Sequence, residues 1–146
     1  MGIERLAHKS KYWQTTIDFA EICSFGVGKH LANMMKNNQF SDWESVFAAI
    51  SGEKILGFCT LLKEDYFPEN RYSPWISTLF VDENARGSRI SEKLIEAAAQ
   101  YAKENGFAKV YIPSDMTGFY EKFGFEPIDV LENYEGQFDT VFRREL

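Results

Sequence analysis

The sequence is poor in the features that mark several large classes of protein. It has only two cysteines, Cys23 and Cys59, and they form no closely spaced pair of the metal-binding or redox kind. It has 16 lysines and arginines against 22 aspartates and glutamates, so it lacks the basic face that nucleic-acid phosphates require. No apolar run approaches the roughly 18–20 residues of a transmembrane helix, and the N-terminus lacks the apolar core of a signal peptide. We therefore expect reduced thiols, a cytoplasmic location, and neither nucleic acid nor membrane as a partner.

Histidine is equally scarce. His8 and His30 have no second ligand at a useful spacing, so we expect no metal site. The 146 residues are 45% hydrophobic and 26% charged, which is ordinary for a globular protein. This length predicts a single domain, residues 1–146, that buries enough surface to fold without disulfides.

The apolar periodicity predicts a mixed sheet with helices on both faces. We expect a first strand at residues 3–8, a helix at 12–24, a hinge at Gly26 and Gly28, and a second helix at 30–36. A hairpin follows, with strands at 45–50 and 54–62 around Gly52. A strand at 75–81, a helix ending near 104 and a strand at 109–112 form a βαβ unit with parallel strands. A short helix at 115–122 and antiparallel strands at 125–130 and 139–144 complete the chain.

The unit at residues 75–101 organises the rest of the fold. Its strand is apolar and β-branched, and Ile90, Leu94, Ala98 and Tyr101 recur on one face of the helix that follows. The turn between them places backbone N–H groups at a helix start, where unpaired donors and the positive end of the helix dipole favour an anion. Such a strand–turn–helix unit is a candidate phosphate or pyrophosphate site.

Two motifs in this order resemble the GNAT superfamily of acyl-CoA N-acyltransferases. The first is Arg86-Gly87-Ser88-Arg89-Ile90-Ser91 after the strand at 75–81, and the second is the Phe-Tyr-Glu-Lys-Phe-Gly-Phe run at 119–125. The resemblance covers residues 54–130 and implies an α/β fold with a mostly antiparallel sheet, one parallel and splayed strand pair, and helices on both faces. It departs from the family at Arg89, where glycine is usual, and at Ser91, where glycine or alanine is usual.

The resemblance implies acetyl-CoA as cosubstrate. The pyrophosphate is then expected at the turn, and the pantetheine arm along the preceding strand, in the gap where two parallel strands diverge. The family's pantetheine-binding asparagine is replaced here by Pro113, which leaves Ser114 or Asp115 for that role. The implied cofactor-binding residues are Leu79, Phe80, Val81, Arg86, Gly87, Ser88, Arg89, Ile90, Ser91, Ser114 and Asp115.

Transfer of an acetyl group to an amine needs a base for the ammonium and a group that assists the departing thiolate. The resemblance assigns the second role to Tyr120. For the base, Glu64 and Asp65 are the leading candidates, followed by Glu83, and a solvated loop charge is the alternative for each. We expect direct transfer to a primary amine of a small molecule or peptide, by a monomer or homodimer. A non-catalytic CoA sensor and a ligand-free interaction module are the alternatives.

The closing hairpin carries acids without an intervening lysine or arginine. If this hairpin lines the acceptor pocket, it favours a cationic acceptor. The residues concerned are Glu126, Asp129, Glu132, Glu135 and Asp139.

Overall fold

The structure, a computed structural model, describes residues 1–23 and 26–146, which form a seven-stranded sheet with helices on both faces. The strands are β1 (Gly2–Leu6), β2 (Ser45–Ser51), β3 (Lys54–Leu62), β4 (Trp75–Val81), β5 (Lys109–Ser114), β6 (Glu126–Glu132) and β7 (Phe138–Glu145). The α-helices are α1 (Trp13–Ile22), α2 (Gly26–Lys36) and α3 (Ile90–Glu104). Short 3₁₀ turns occupy Glu83–Ala85 and Tyr120–Phe123.

The strand order is β1-β2-β3-β4-β5-β7-β6, and every neighbouring pair is antiparallel except β4 and β5. This arrangement confirms the expected mixed sheet with one parallel pair. The parallel strands are joined through α3, as a crossover connection requires. The predicted hairpins at β2–β3 and β6–β7 are confirmed as antiparallel pairs.

The alternation of side chains in β2 divides the core into two layers. Phe47 and Ala49 pack with α3, whereas Val46, Ala48 and Ile50 pack with α1 and α2. Because successive residues of a strand point to opposite faces, a fully apolar strand is needed at the centre of such a sheet. A third cluster, which includes Phe67, Trp75, Tyr111, Leu131 and Val141, supports the start of the parallel pair.

The helix α3 buries one continuous face against the sheet. The side chains involved repeat at three- and four-residue steps, which places them on one stripe. They are Ile90, Leu94, Ile95, Ala98, Ala99 and Ala102. Three of them are alanines, so the helix axis can lie close to the strands, and the predicted helix is confirmed through Glu104.

The expected glycine hinge between the first two helices is wrong for the residues described. The helix α2 already begins at Gly26, and Gly28 is buried inside it. A methyl group at Gly28 would overlap the Ala20 carbonyl and Cys23 Sγ, so this glycine permits close packing of α1 and α2. The end of the predicted first helix at residue 24 lies outside the described residues.

Other element boundaries also differ from the sequence expectation. The first strand ends at Leu6, not at residue 8. The helix expected at 115–122 is wrong: Gly118 has a positive φ of 82°, and only the 3₁₀ turn Tyr120–Phe123 forms. The strand β5 runs on to Ser114 because Pro113 and Ser114 still pair with β7.

Candidate active site

A cleft opens where the parallel strands separate. β4 and β5 share a single residue pair, Trp75 with Tyr111. Beyond it, Ile76–Leu79 side chains of β4 and Ile112–Ser114 side chains of β5 line a cleft of about 1150 Å³. The ends of β3 and α2, the loop after β3 and the β6–β7 turn complete its wall. The divergence predicted for the parallel pair therefore creates a candidate binding space.

Asp65, just after β3, presents a half-buried carboxylate to this cleft. Ser77 Oγ on β4 donates a hydrogen bond to Asp65 Oδ2, and the Tyr66 backbone N–H donates to Oδ1 at 2.6 Å. Burial raises the pKa of Asp65, and the nearby Asp139 carboxylate raises it further; the two hydrogen bonds and His30 act in the opposite direction. The carboxylate is fixed in position and is a stronger base than a solvated aspartate.

The other carboxylate candidates have different surroundings. Glu64 lines the cleft but is exposed to solvent. Glu83 begins the turn after β4 and is not among the described lining residues. Glu44 also lines the cleft, yet its Oε2 accepts the Lys63 backbone N–H at 2.9 Å and its Oε1 accepts the Ser41 N–H at 3.1 Å. Burial and partners therefore distinguish Asp65 from its neighbours.

Tyr120 also lines the cleft, and its side chain is only 7% exposed. Its ring lies between the aromatic rings of Phe125 and Phe142, with centroid distances of 6.3 and 5.9 Å. Its hydroxyl has no hydrogen-bond partner within residues 1–23 and 26–146. Burial, with smaller contributions from Cys59 and Asp115, raises the pKa of Tyr120 to about 12. At neutral pH this hydroxyl remains protonated and is available to a ligand as a donor.

A β-bulge interrupts β4 at the level of the cleft. Pairing with β3 shifts between Phe58 and Thr60, and Thr78 takes a positive φ of 52°. The Thr60 and Thr78 hydroxyls lie 2.9 Å apart, and each lies within 3.1 Å of the Ser77 carbonyl oxygen. A β-branched residue in the left-handed region is strained, and such strain clusters at functional sites. The shift leaves Thr78 and Leu79, which both line the cleft, without a register partner on β3.

The turn between β4 and α3 leaves backbone donors available at the start of a helix. No side chain caps α3, so its first backbone N–H groups keep free donor capacity. Arg86 lies folded against the preceding strand, with Nε donating to the Val81 carbonyl at 3.2 Å. Arg89 precedes the helix with a φ of 61°, a conformation that glycine would adopt without strain. This left-handed backbone conformation explains why the family pattern has glycine at the position of Arg89.

Most of the cofactor residues expected from the sequence lie along one continuous path. Leu79 lines the cleft, and Phe80 and Val81 lead from it to the turn at residues 86–91. The side chains of Phe80, Val81 and Ile90 are buried in the core, so only their backbone groups can serve a ligand. The two residues proposed to replace the missing asparagine, Ser114 and Asp115, line the cleft on the β5 side.

The closing hairpin contributes only part of its acidic stretch. Glu135 and Asp139 line the cleft. Glu126 instead pairs with Arg143 at 2.9 Å, and Asp129 accepts a hydrogen bond from Tyr72 at 2.7 Å. Part of the acidic stretch therefore lines the cleft, and Glu126 and Asp129 are paired with other side chains.

Several cleft residues were not predicted from the sequence. Ser77 and Thr78 resemble ordinary strand residues, and no local pattern distinguishes Tyr66 or Tyr134 from surface tyrosines. All four line the cleft. Their place in the cleft wall depends on tertiary structure, so the sequence alone did not indicate it.

No helix within residues 1–23 and 26–146 is long and apolar enough to cross a membrane. In the same ranges, no group of three or more histidine, cysteine, aspartate or glutamate side chains is arranged to hold a metal ion.

A sequence model described as the acetyltransferase (GNAT) family matches residues 11–125, well over half of the chain. The chain belongs to this family. Its match includes both motifs that carried the resemblance, so the mixed sheet with its single parallel pair is a GNAT fold. No curated protein matches the sequence significantly.

Solved structures share this GNAT fold over nearly the whole chain. The aminoglycoside 6′-N-acetyltransferase from Enterococcus faecium is 15% identical with a TM-score of 0.74, covering 99% of this chain and 97% of that one. The IAA acetyltransferase from Bacillus cereus ATCC 14579 is 20% identical with a TM-score of 0.66, covering 99% and 98%. A GNAT family acetyltransferase from Elizabethkingia anophelis with acetyl-CoA bound is 16% identical with a TM-score of 0.68, covering 99% and 97%. At these identities the likeness shows the fold alone.

Proposed function

We propose that this protein is an N-acetyltransferase that moves an acetyl group from acetyl-CoA directly to a primary amine. The observation that carries the proposal is the half-buried Asp65 carboxylate, which lines the same cleft as the unpartnered hydroxyl of Tyr120. A fixed base and a fixed hydrogen-bond donor in one cleft are what acyl transfer to an amine requires. Membership of the GNAT family supports the same reaction class.

The turn at residues 86–91 and the strand before it fit an extended, anionic cosubstrate. The uncapped N–H groups of α3, with Arg86 and Arg89 beside them, attract a pyrophosphate. The β4 backbone from Leu79 to residue 81 runs next to the gap left by β5, so a pantetheine arm can add to it as a strand does. When bound there, acetyl-CoA supplies an acetyl group that is activated as a thioester.

Asp65 is the proposed base. An alkylammonium has a pKa near 10.4, so roughly one amine in a thousand is unprotonated at pH 7 without help. Ionised Asp65 accepts a proton from the bound ammonium at its carboxylate and passes it to solvent at the cleft mouth. Burial raises the pKa of Asp65, and its hydrogen bonds fix the carboxylate in the cleft, which suits it to this task.

Tyr120 is proposed to act as a hydrogen-bond donor to the departing sulfur. An ordinary thiol has a pKa near 8.5, so complete transfer of a proton from a phenol with a pKa of about 12 would be uphill by roughly 5 kcal/mol. The hydroxyl therefore stabilises developing negative charge while keeping its own proton. This role is narrower than the proton donation expected from the sequence.

Direct transfer is proposed because the available nucleophiles are poor. Cys59 is completely buried, and burial raises the pKa of its thiol far above the ordinary range. Ser77 lines the cleft and donates its hydroxyl hydrogen to Asp65, so transient acetylation of Ser77 is the competing route that a single-turnover experiment must test. The amine itself, once deprotonated, is the best nucleophile that the cleft can receive.

The proposal is tested by following release of CoA thiol from acetyl-CoA, with and without a panel of primary amines. We expect amine-dependent thiol release that Asp65→Asn strongly reduces. Tight CoA binding without turnover for any amine would favour the sensor alternative. Absence of a thermal shift with acetyl-CoA would favour an interaction module, since a ligand at 100 times its dissociation constant adds about 2.7 kcal/mol of stability.

A further inference from the structure

Two tyrosines whose rings contact each other at a tilted angle lie at the mouth of the cleft. Tyr66 belongs to the loop after β3 and Tyr134 to the β6–β7 turn, and their ring centroids lie 5.1 Å apart at an interplanar angle of 59°. They are 54% and 61% exposed, which is unusual for large aromatic side chains that a core or interface would otherwise cover. Both rings line the cleft and remain more than half exposed, so they are accessible to a ligand that enters it.

The two loops hold this pair in place without a ligand. The Tyr134 backbone N–H donates to the Tyr66 carbonyl at 3.4 Å. Asn133, which is 9% exposed, accepts the backbone N–H groups of Glu135 and Gln137 at 2.9 and 3.1 Å through Oδ1. On the other loop, Asn70 Oδ1 accepts the Asp65 N–H at 2.9 Å. A preorganised pair loses less entropy when it binds than two free side chains would.

The cleft around the pair is strongly acidic. The basic side chains among the described lining residues are Lys63 and His30, and Lys63 Nζ is already held 2.5 Å from Asp42 Oδ2. Tyr120, which is 7% exposed, also lines this cleft, and its protonated hydroxyl can donate a hydrogen bond to a ligand there. The carboxylates among the same described lining residues are Glu44, Glu64, Asp65, Asp115, Glu135 and Asp139.

We propose that the acceptor carries a second cationic group, and that Tyr66, Tyr134 and Glu135 bind it while the reacting amine lies at Asp65. This inference rests on the proposed acetyl transfer and names its substrate class: short amines with two or more positive charges. Aromatic faces attract ammonium and guanidinium groups by cation–π contact. Asp65, Tyr66 and Tyr134 line the same cleft, so one acceptor molecule can reach both the proposed base and the tyrosine pair.

The test compares acceptors that differ in the second charge. The probes are butylamine, putrescine, which is butylamine with an amine at the other end, and the longer spermidine. The readouts are the ratio of kcat/KM for spermidine to that for butylamine, and the dissociation constant of spermidine by calorimetry with CoA bound. In the double variant Tyr66→Ala/Tyr134→Ala, we expect the ratio to fall and the dissociation constant to rise by about 3- to 30-fold, the effect of one to two cation–π contacts.

Two further variants make the result specific. Tyr66→Phe/Tyr134→Phe keeps both π-faces and should restore the ratio to within about two-fold of the wild type. Phe138→Ala removes an aromatic side chain that is 66% exposed but outside the described lining, and it should leave the ratio unchanged. A double alanine variant whose ratio and spermidine affinity both match the wild type would overturn the proposal.

Failure of the proposed function has a different signature. If the wild type acetylates no amine, acetyl transfer is refuted, and the calorimetric arm alone then decides whether the tyrosine pair binds a dication. If butylamine and spermidine are acetylated equally well by all variants, acetyl transfer stands and the second cation site is refuted.

Discussion

Replacing Asp65 with asparagine removes the proposed base with little change of shape. In the wild type, Ser77 donates to one carboxylate oxygen of Asp65 and the Tyr66 N–H donates to the other. Asparagine keeps one side-chain oxygen, which can still accept one of these two hydrogen bonds. General-base assistance is typically worth 10²–10⁴-fold. We therefore expect Asp65→Asn to lower kcat for amine acetylation by roughly 10²-fold or more, with little change in the KM for acetyl-CoA.

The pH dependence gives a second readout of the same variant. Only ionised Asp65 can accept a proton, so wild-type kcat/KM should fall as the pH falls through the pKa of this group. Because burial raises that pKa, the acid limb should lie above the range of an ordinary aspartate. In Asp65→Asn the acid limb should disappear. The assay is thiol release at saturating acetyl-CoA across a pH series.

Glu64→Gln is the matched control, since it removes the same charge one residue away from an exposed side chain. It should lower kcat by no more than about three-fold, the scale of a screened surface charge. Equal losses of kcat in Asp65→Asn and Glu64→Gln would mean that the loop after β3 contributes only negative charge to the cleft, and not a specific base. An Asp65→Asn variant with nearly wild-type kcat and an intact acid limb would refute the role of Asp65.

Four other substitutions test separate parts of the account. Tyr120→Phe should lower kcat by about 10- to 150-fold, the worth of a hydrogen bond to a charged atom, with acetyl-CoA affinity nearly intact. Asp139→Asn should shift the acid limb of kcat/KM to lower pH, because the Asp139 carboxylate raises the pKa of Asp65. Arg89→Gly should raise the free energy of unfolding by up to about 1 kcal/mol by relieving a left-handed residue. Gly28→Ala should lower it by about 1–3 kcal/mol through overpacking between α1 and α2.

Matched controls exist for the two stability predictions, both measured by denaturant unfolding. Gly26→Ala has open space around the new methyl group and should change stability little. Gly87→Ala forces alanine into a φ of 91° and should destabilise, opposite in sign to Arg89→Gly. Unchanged turnover in the Tyr120→Phe variant would refute the role of Tyr120 as a hydrogen-bond donor. An acid limb that stays at the same pH in Asp139→Asn would refute the coupling between Asp139 and Asp65. A Gly28→Ala variant as stable as the wild type would contradict the close contact between α1 and α2.

The elements that local chemistry determines were predictable from the sequence. The strand at Trp75–Val81 and the helix at Ile90–Glu104 coincide with the expected ones, because apolar period and turn residues act within a few positions. Gly28 was misinterpreted as a hinge because glycine disfavours helices in isolation. The constraint on Gly28 is tertiary, because a Cβ at this position would collide with the Ala20 carbonyl and Cys23 Sγ.

The sequence predicted which segments carry the candidate site, but not which residue of a segment acts in it. Glu64 and Asp65 are adjacent acids, and no local pattern separates them. The contact of Asp65 with Ser77 separates them, and that contact depends on how β3 and β4 pair. The bulge at Thr78 and the ring contact between Tyr66 and Tyr134 depend in the same way on long-range register and loop packing.

The most direct measurement is a rapid-quench single turnover with acetyl-CoA labelled in its acetyl group and excess protein, in the presence of spermidine. The account predicts that label leaves CoA and appears on the amine at the same rate, with none bound to protein. Label accumulating on the protein, on Ser77 for example, or label remaining on CoA with every amine tried, would contradict direct acetyl transfer in this cleft.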